Sequence, residues 1–121
     1  MMTSSPPTSP REFARSWINA WNARDLDAVL THFSEDFEFS SPHVARVTGE
    51  ASGRLKGKAA VRAYWNAALA GIPELHFELV DVLSGIRCMV ILYRGHQGLS
   101  AEMLDLDEKG RAVRGQALYM M

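Results

Sequence analysis

The chain has 121 residues, with Lys plus Arg at 13 against Asp plus Glu at 14. That length suits one domain, burying roughly two thirds of the surface its unfolded form would expose. Charge is nearly balanced and no block of five Lys or Arg occurs, so there is no basic field to hold a polyanion, which speaks against nucleic acid as a partner.

The first eight residues combine Ser, Thr and Pro with two methionines, a composition that cannot build a core, and are expected to form a disordered tail before a single domain over 9–121. The opening MMTSSPPTSP lacks the basic and then apolar order of a secretory signal, and no apolar run approaches the roughly 18 residues of a membrane span. The lone Cys88 lies in RCMVILYRG, where no intramolecular disulfide can form and a small buried filler is expected. These features predict a cytoplasmic protein that does not enter a membrane.

In SPRE, Ser9 is placed as an N-cap, Pro10 at the first helical position and Glu12 as the reciprocal partner of a capping box. Phe13, Trp17, Ala20 and Trp21 follow at helical spacing, predicting a helix over 10–23 with one apolar face. Asp25 caps a second, short helix in LDAVLTHF, with Leu26, Val29, Leu30 and Phe33 turned inward. Phe37 to Ser41 alternates apolar and polar as a half-buried strand does, until Pro42 breaks it. Residues 43–57 read as a loop with a short strand near GRLKG.

KAAVRAYWNAALAG predicts a third helix, with Ala60, Val61, Tyr64, Trp65, Ala68 and Leu69 available to the core and Gly71 and Pro73 ending it. ELHFELVDVL, RCMVILYRG, LSAEMLDLD and RAVRGQALYMM then read as strands joined by SG, GHQG and DEKG. Helices first and a meander second predict an α+β fold in which one curved antiparallel sheet wraps the helices.

The phrases WINAWNARDLDAVLTHFSEDFEFSSP, LKGKAAVRAYW and LDLDEKGRAVRGQALY, in that order, resemble the nuclear transport factor 2-like superfamily, in particular its SnoaL-like and ketosteroid-isomerase-like branch, over nearly all of residues 10–121. The resemblance implies a cystatin-like roll: a cone-shaped sheet around N-terminal helices, with an apolar cavity open at the wide end and usually a homodimer joined through the sheets. It leaves function open, because the same fold carries many chemistries. In the ketosteroid-isomerase pattern a tyrosine of the first helix falls on Trp17 and the general-base aspartate on Ser41, so both groups are replaced. The second, protonated acid of that pattern falls on Glu102. The limonene-epoxide-hydrolase pattern, an Asp-Arg-Asp set, finds Arg94 and Glu102 but no second acid.

Glu102 shares a strand face with Ser100, Leu104 and Leu106, so if that face lines a cavity, desolvation raises its pKa and makes it a candidate acid. The competing reading is an exposed carboxylate or one paired with Arg94. His43, just after Pro42, is the candidate base, since an ordinary histidine titrates near neutrality. Ser41 offers a hydroxyl to a ligand, and Trp17, Tyr64, Trp65, Tyr93 and Tyr119 are candidate cavity walls suited to a flat apolar molecule. His32, His76 and His96 show no metal-ligand spacing, and DLDEKGR reads as a hairpin tip, so neither metal nor cofactor is expected. The predicted function is binding of a small apolar molecule with cofactor-independent isomerase, cyclase or hydratase chemistry by Glu102 and His43. The alternative is a non-catalytic binding or dimerisation domain.

Overall fold

The computed structural model describes residues 9–120. The tail expected over 1–8 lies outside them. In chain order the elements are helix α1 (Pro10–Asn22), helix α2 (Leu26–Leu30), strand β1 (Phe33–Ser40), helix α3 (Val44–Thr48), strand β2 (Arg54–Lys56), helix α4 (Lys58–Ala70) and strands β3 (Glu78–Gly85), β4 (Cys88–Gly95), β5 (Gly98–Leu106) and β6 (Ala112–Tyr119).

The capping box predicted at Ser9 is present: the Glu12 backbone N–H donates to Ser9 Oγ at 3.2 Å and the Ser9 N–H to Glu12 Oε1 at 3.5 Å. Asp25 likewise accepts from the Ala28 N–H at 3.1 Å and opens α2. These caps satisfy amides that the first helical turn leaves free, so both helices start where side-chain oxygens allow them to. The apolar stripe of α1 is buried, Trp17 and Trp21 included, and α4 buries Val61, Tyr64, Trp65 and Leu69. Ala60 is exposed, outside that stripe.

One six-stranded sheet runs in the order β2-β1-β6-β5-β4-β3. The last four strands form the predicted antiparallel meander, but β1 pairs parallel with β6, so the sheet is mixed. Parallel pairing requires a long crossover, and everything between β1 and β6 supplies it. Register shifts fall between Phe33 and Glu38, between Leu79 and Asp81, and between Asp105 and Leu106. Such irregularities bend strands and increase twist, which lets the sheet curl over α1 and α4. Gly115 marks a close approach, because a Cβ there would meet Leu104 Cδ2 at 2.8 Å and Phe37 Cζ at 3.1 Å.

Three further expectations change. The segment 43–57 contains helix α3 as well as the short strand β2, and Gly49 ends that helix at φ 83°. A left-handed C-cap glycine after VARVT was the overlooked signal. The second helix stops at Leu30, and Phe33 already belongs to β1. Cys88 opens β4 and is half-buried, not a sealed core filler. His32 packs on Phe13 with ring centroids 4.5 Å apart and bonds Ser16 Oγ at 3.0 Å; burial lowers its pKa.

Two polar side chains tie the helical layer to the segment entering β3. Arg24, in the left-handed region at φ 59°, donates from Nη2 to the Leu69 carbonyl at 2.6 Å and from Nη1 to the Ile72 carbonyl at 3.0 Å. It thereby caps the C-terminus of α4, where a cation also meets the negative end of the helix dipole. Asn22 bonds the backbone of Phe77 in both directions, at 2.9 and 2.7 Å.

Candidate functional site

Strand alternation and register build the inner face row by row. Tyr93, Ser100 and Tyr119 form one row across β4, β5 and β6; Ile91, Glu102 and Ala117 form the next; Met89, Leu104 and Gly115 follow. Glu102 therefore has a tyrosine diagonally on each side, within reach of long side chains. The Tyr93 hydroxyl donates to Glu102 Oε1 at 3.4 Å. Arg94, one residue on from Tyr93, takes the opposite face and is exposed. The Arg94 pairing weighed from the sequence does not form.

Glu102 is 3% exposed and joins no ion pair among the described residues. Desolvation raises its pKa to about 8, and the bond from Tyr93 pulls weakly the other way. At neutral pH the carboxyl group is protonated and can donate a hydrogen bond. Burial, and then the proximity of Glu102, also raises the pKa of Tyr93 and Tyr119. Burial raises that of Tyr64 as well, with the Ser41 hydroxyl partly offsetting it.

Beside this cluster opens a cavity of about 380 Å³. All three tryptophans and all three tyrosines of the chain line it. Trp17 stacks on Phe77 with centroids 5.8 Å apart and meets Tyr93 edge-on at 5.3 Å, while Trp21 meets Trp65 edge-on at 5.1 Å. Interlocked rings give a wall that is apolar and stiff. The indole Nε1 groups of Trp17 and Trp21 are buried without a hydrogen-bond partner.

The mouth takes in the solvent-exposed lining residues, Arg46 and Val47 of α3 and His96 and Gln97 of the β4–β5 turn, with Ala67 and Gly71 at the end of α4. His43, Arg46 and Val47 line it at helical spacing, and His96 and Gln97 face them from the turn. The His43 ring lies 4.6 Å from that of Tyr119, and its Nε2 bonds Gln97 Oε1. Ser41 is buried behind the wall, where its Oγ accepts from the His43 backbone N–H at 3.2 Å and so fixes the turn that carries His43.

Trp17, His43, Tyr64, Trp65, Tyr93, Glu102 and Tyr119, all singled out in the sequence, thus share one cavity. Phe77, Arg46 and Gln97 were missed. Phe77 sits in a run read only as strand, and the side of Arg46 is undefined until α3 is recognised. Among the described residues no group of three His, Cys, Asp or Glu side chains could hold a metal ion, and no helix is long and apolar enough to cross a membrane.

The model of the SnoaL-like domain matches residues 14–119. The chain belongs to the SnoaL-like family. A SnoaL-like protein of unknown function from Burkholderia thailandensis is 44% identical to this SnoaL-like chain, with 96% of this chain and 100% of that one covered and a TM-score of 0.88. A protein of unknown function with a cystatin-like fold from Methylobium petroleophilum shares the fold at 16% identity and a TM-score of 0.72, over 96% of this chain and 80% of that one. So does a nuclear transport factor 2-like protein of unknown function from Burkholderia pseudomallei, at 19% identity and 0.74, over 92% and 90%. No curated protein matches the chain.

Proposed function

We propose that this SnoaL-like domain binds a small, largely apolar molecule bearing a carbonyl-type oxygen, and that it acts by cofactor-independent proton transfer of the isomerase, cyclase or hydratase kind. The observation that carries this reading is the buried carboxyl of Glu102, with no ion-pair partner among the described residues, in the lining of an aromatic cavity. A neutral carboxylic acid in an apolar site donates to a developing oxyanion without the cost of a buried charge. His43 at the mouth is the base: it takes the proton from carbon while Glu102 holds the enolate oxygen. Trp17, Ser41, Tyr64, Trp65, Tyr93 and Tyr119 shape the ligand site, Ser41 from behind the wall through His43 and the tyrosines.

A second reading, a non-catalytic binding domain, is favoured by Trp17 and Ser41, which occupy the tyrosine and general-base positions of the steroid-isomerase pattern. Deuterium exchange at the carbon next to the carbonyl of 2-tetralone in D2O separates the two. An enzyme accelerates that exchange, with His43→Ala and Glu102→Gln each slowing it by about 100-fold. Saturable binding with no acceleration means a binding domain.

We further infer a homodimer formed through the outer sheet face. Leu83, Val90 and Met103 follow one another in one outer row, and Leu92, Ala101 and Leu118 in the next. Leu83, Met103 and Leu118 are 59%, 46% and 45% exposed. An exposed apolar strip of this kind, ending at Asp81 and Gln116 and flanked by the Asp105–Arg114 pair, suits a two-fold contact with a second copy. We also propose a cytoplasmic location, which suits a chain with the single cysteine Cys88 and no disulfide to form within it.

A further inference from the structure

The cavity has an electrical asymmetry that its proposed chemistry does not use. Among the described residues the one Lys or Arg that lines it is Arg46, and the one Asp or Glu is Glu102, which burial keeps uncharged near neutrality. Arg46 is held toward the mouth by α3, where it and Val47 follow the N-cap residue His43 by three and four positions, and all three line the cavity. Its guanidinium makes no ion pair or side-chain hydrogen bond among the described residues. Arg11, Arg62 and Arg114 each end on a carboxylate and Arg24 on backbone carbonyls, and the other arginines that lack a side-chain partner, Arg15, Arg54, Arg94 and Arg111, lie away from the cavity lining. The neighbouring ring of His43 is already bonded to Gln97, and no carboxylate stands at the mouth to compete. The charge of Arg46 also reaches inward, where it opposes the rise that burial imposes on the Tyr64 hydroxyl.

We propose that the guest of this cavity is an aromatic carboxylic acid anion, with its flat body against the tryptophan and phenylalanine walls and its carboxylate on Arg46 at the mouth. This rests on the reading of the cavity as a ligand site. A guanidinium is a planar fork that matches a carboxylate in geometry as well as charge. One guanidinium balances one negative charge, whereas a phosphate dianion would leave a charge uncompensated beside apolar walls. The apolar body accounts for affinity, and Arg46 selects for the anion.

Calorimetric titration of the full chain at pH 7 with naphthalene-2-carboxylate and its neutral isostere naphthalene-2-carboxamide tests the assignment. The carboxylate is expected to bind about threefold to tenfold more tightly than the amide, the range of a partly solvated charge-assisted pair. Arg46→Gln is expected to abolish that ratio, and Arg46→Glu to invert it in favour of the amide. Arg46 is exposed, so neither change threatens folding. Equal binding of the two probes by the wild type, or a ratio that survives Arg46→Gln, overturns the role of Arg46 while leaving the cavity as a ligand site. If neither probe binds, the ligand-site reading falls and this assignment falls with it.

Discussion

The hydroxyl of Tyr93 donates to Oε1 of Glu102 across two neighbouring antiparallel strands, at 3.4 Å. Ser100, two residues before Glu102 on the same strand face, is the direct partner of Tyr93, so register alone brings the two polar groups together. A long bond of this kind is weak and cannot compensate a full negative charge in an apolar pocket. The carboxyl group therefore stays protonated.

Replacing Glu102 by Gln should change how stability depends on pH. The folded pKa, about 8, lies above the ordinary 4.5. Between these values the unfolded chain releases a proton that the folded chain keeps, so stability is greatest below about pH 4.5 and falls as pH rises toward 8. The amide has no such dependence. Relative to wild type, Glu102→Gln should gain on the order of 3 kcal/mol between pH 5 and pH 8, read from urea unfolding at the two values. A parallel pH profile for both proteins would mean that Glu102 is ionised in the folded state.

The Asn22 amide holds the Phe77 backbone at both its N–H and its carbonyl, and Phe77 stacks on Trp17. Asn22→Ala should cost about 1–3 kcal/mol, because both backbone groups lose their partner in a part-buried setting. Faster amide hydrogen exchange at Phe77 should accompany the loss, and Asn22→Asp, which keeps the acceptor but not the donor, should recover part of it. No change in exchange at Phe77 would show that β3 pairing alone orders this segment.

The outer sheet face predicts a concentration-dependent dimer. Met103→Glu together with Leu118→Glu puts charges on adjacent rows of that face, where an apolar contact cannot accommodate them. Light scattering coupled to size exclusion should report a dimer for wild type and a folded monomer for the double variant. A monomeric wild type at micromolar concentration would remove the dimer.

Much of the fold was legible in local sequence. Capping at Ser9 and Asp25, the helical stripe from Phe13 to Trp21, and the alternation of β4 to β6 depend on neighbours a few residues away, and short-range chemistry fixes them. The overlooked helix α3 is also local, carried by five residues and a C-cap glycine, a signal too brief to stand out beside the turn residues around it.

The sequence by itself determined the α+β order of elements, the apolar faces, and the face of β5 on which Glu102 lies. Only the tertiary structure decided that β1 runs parallel to β6, that Tyr93 and Tyr119 flank Glu102 diagonally, and that Arg46 stands at the mouth of the same cavity. Pairing partner, sheet register and the meeting of α3 with the β4–β5 turn are long-range relations, fixed by packing between segments far apart in the chain. Whether a carboxyl group is desolvated depends on all of them at once, which is why the raised pKa of Glu102 follows from the sequence only on the condition that its strand face lines a cavity.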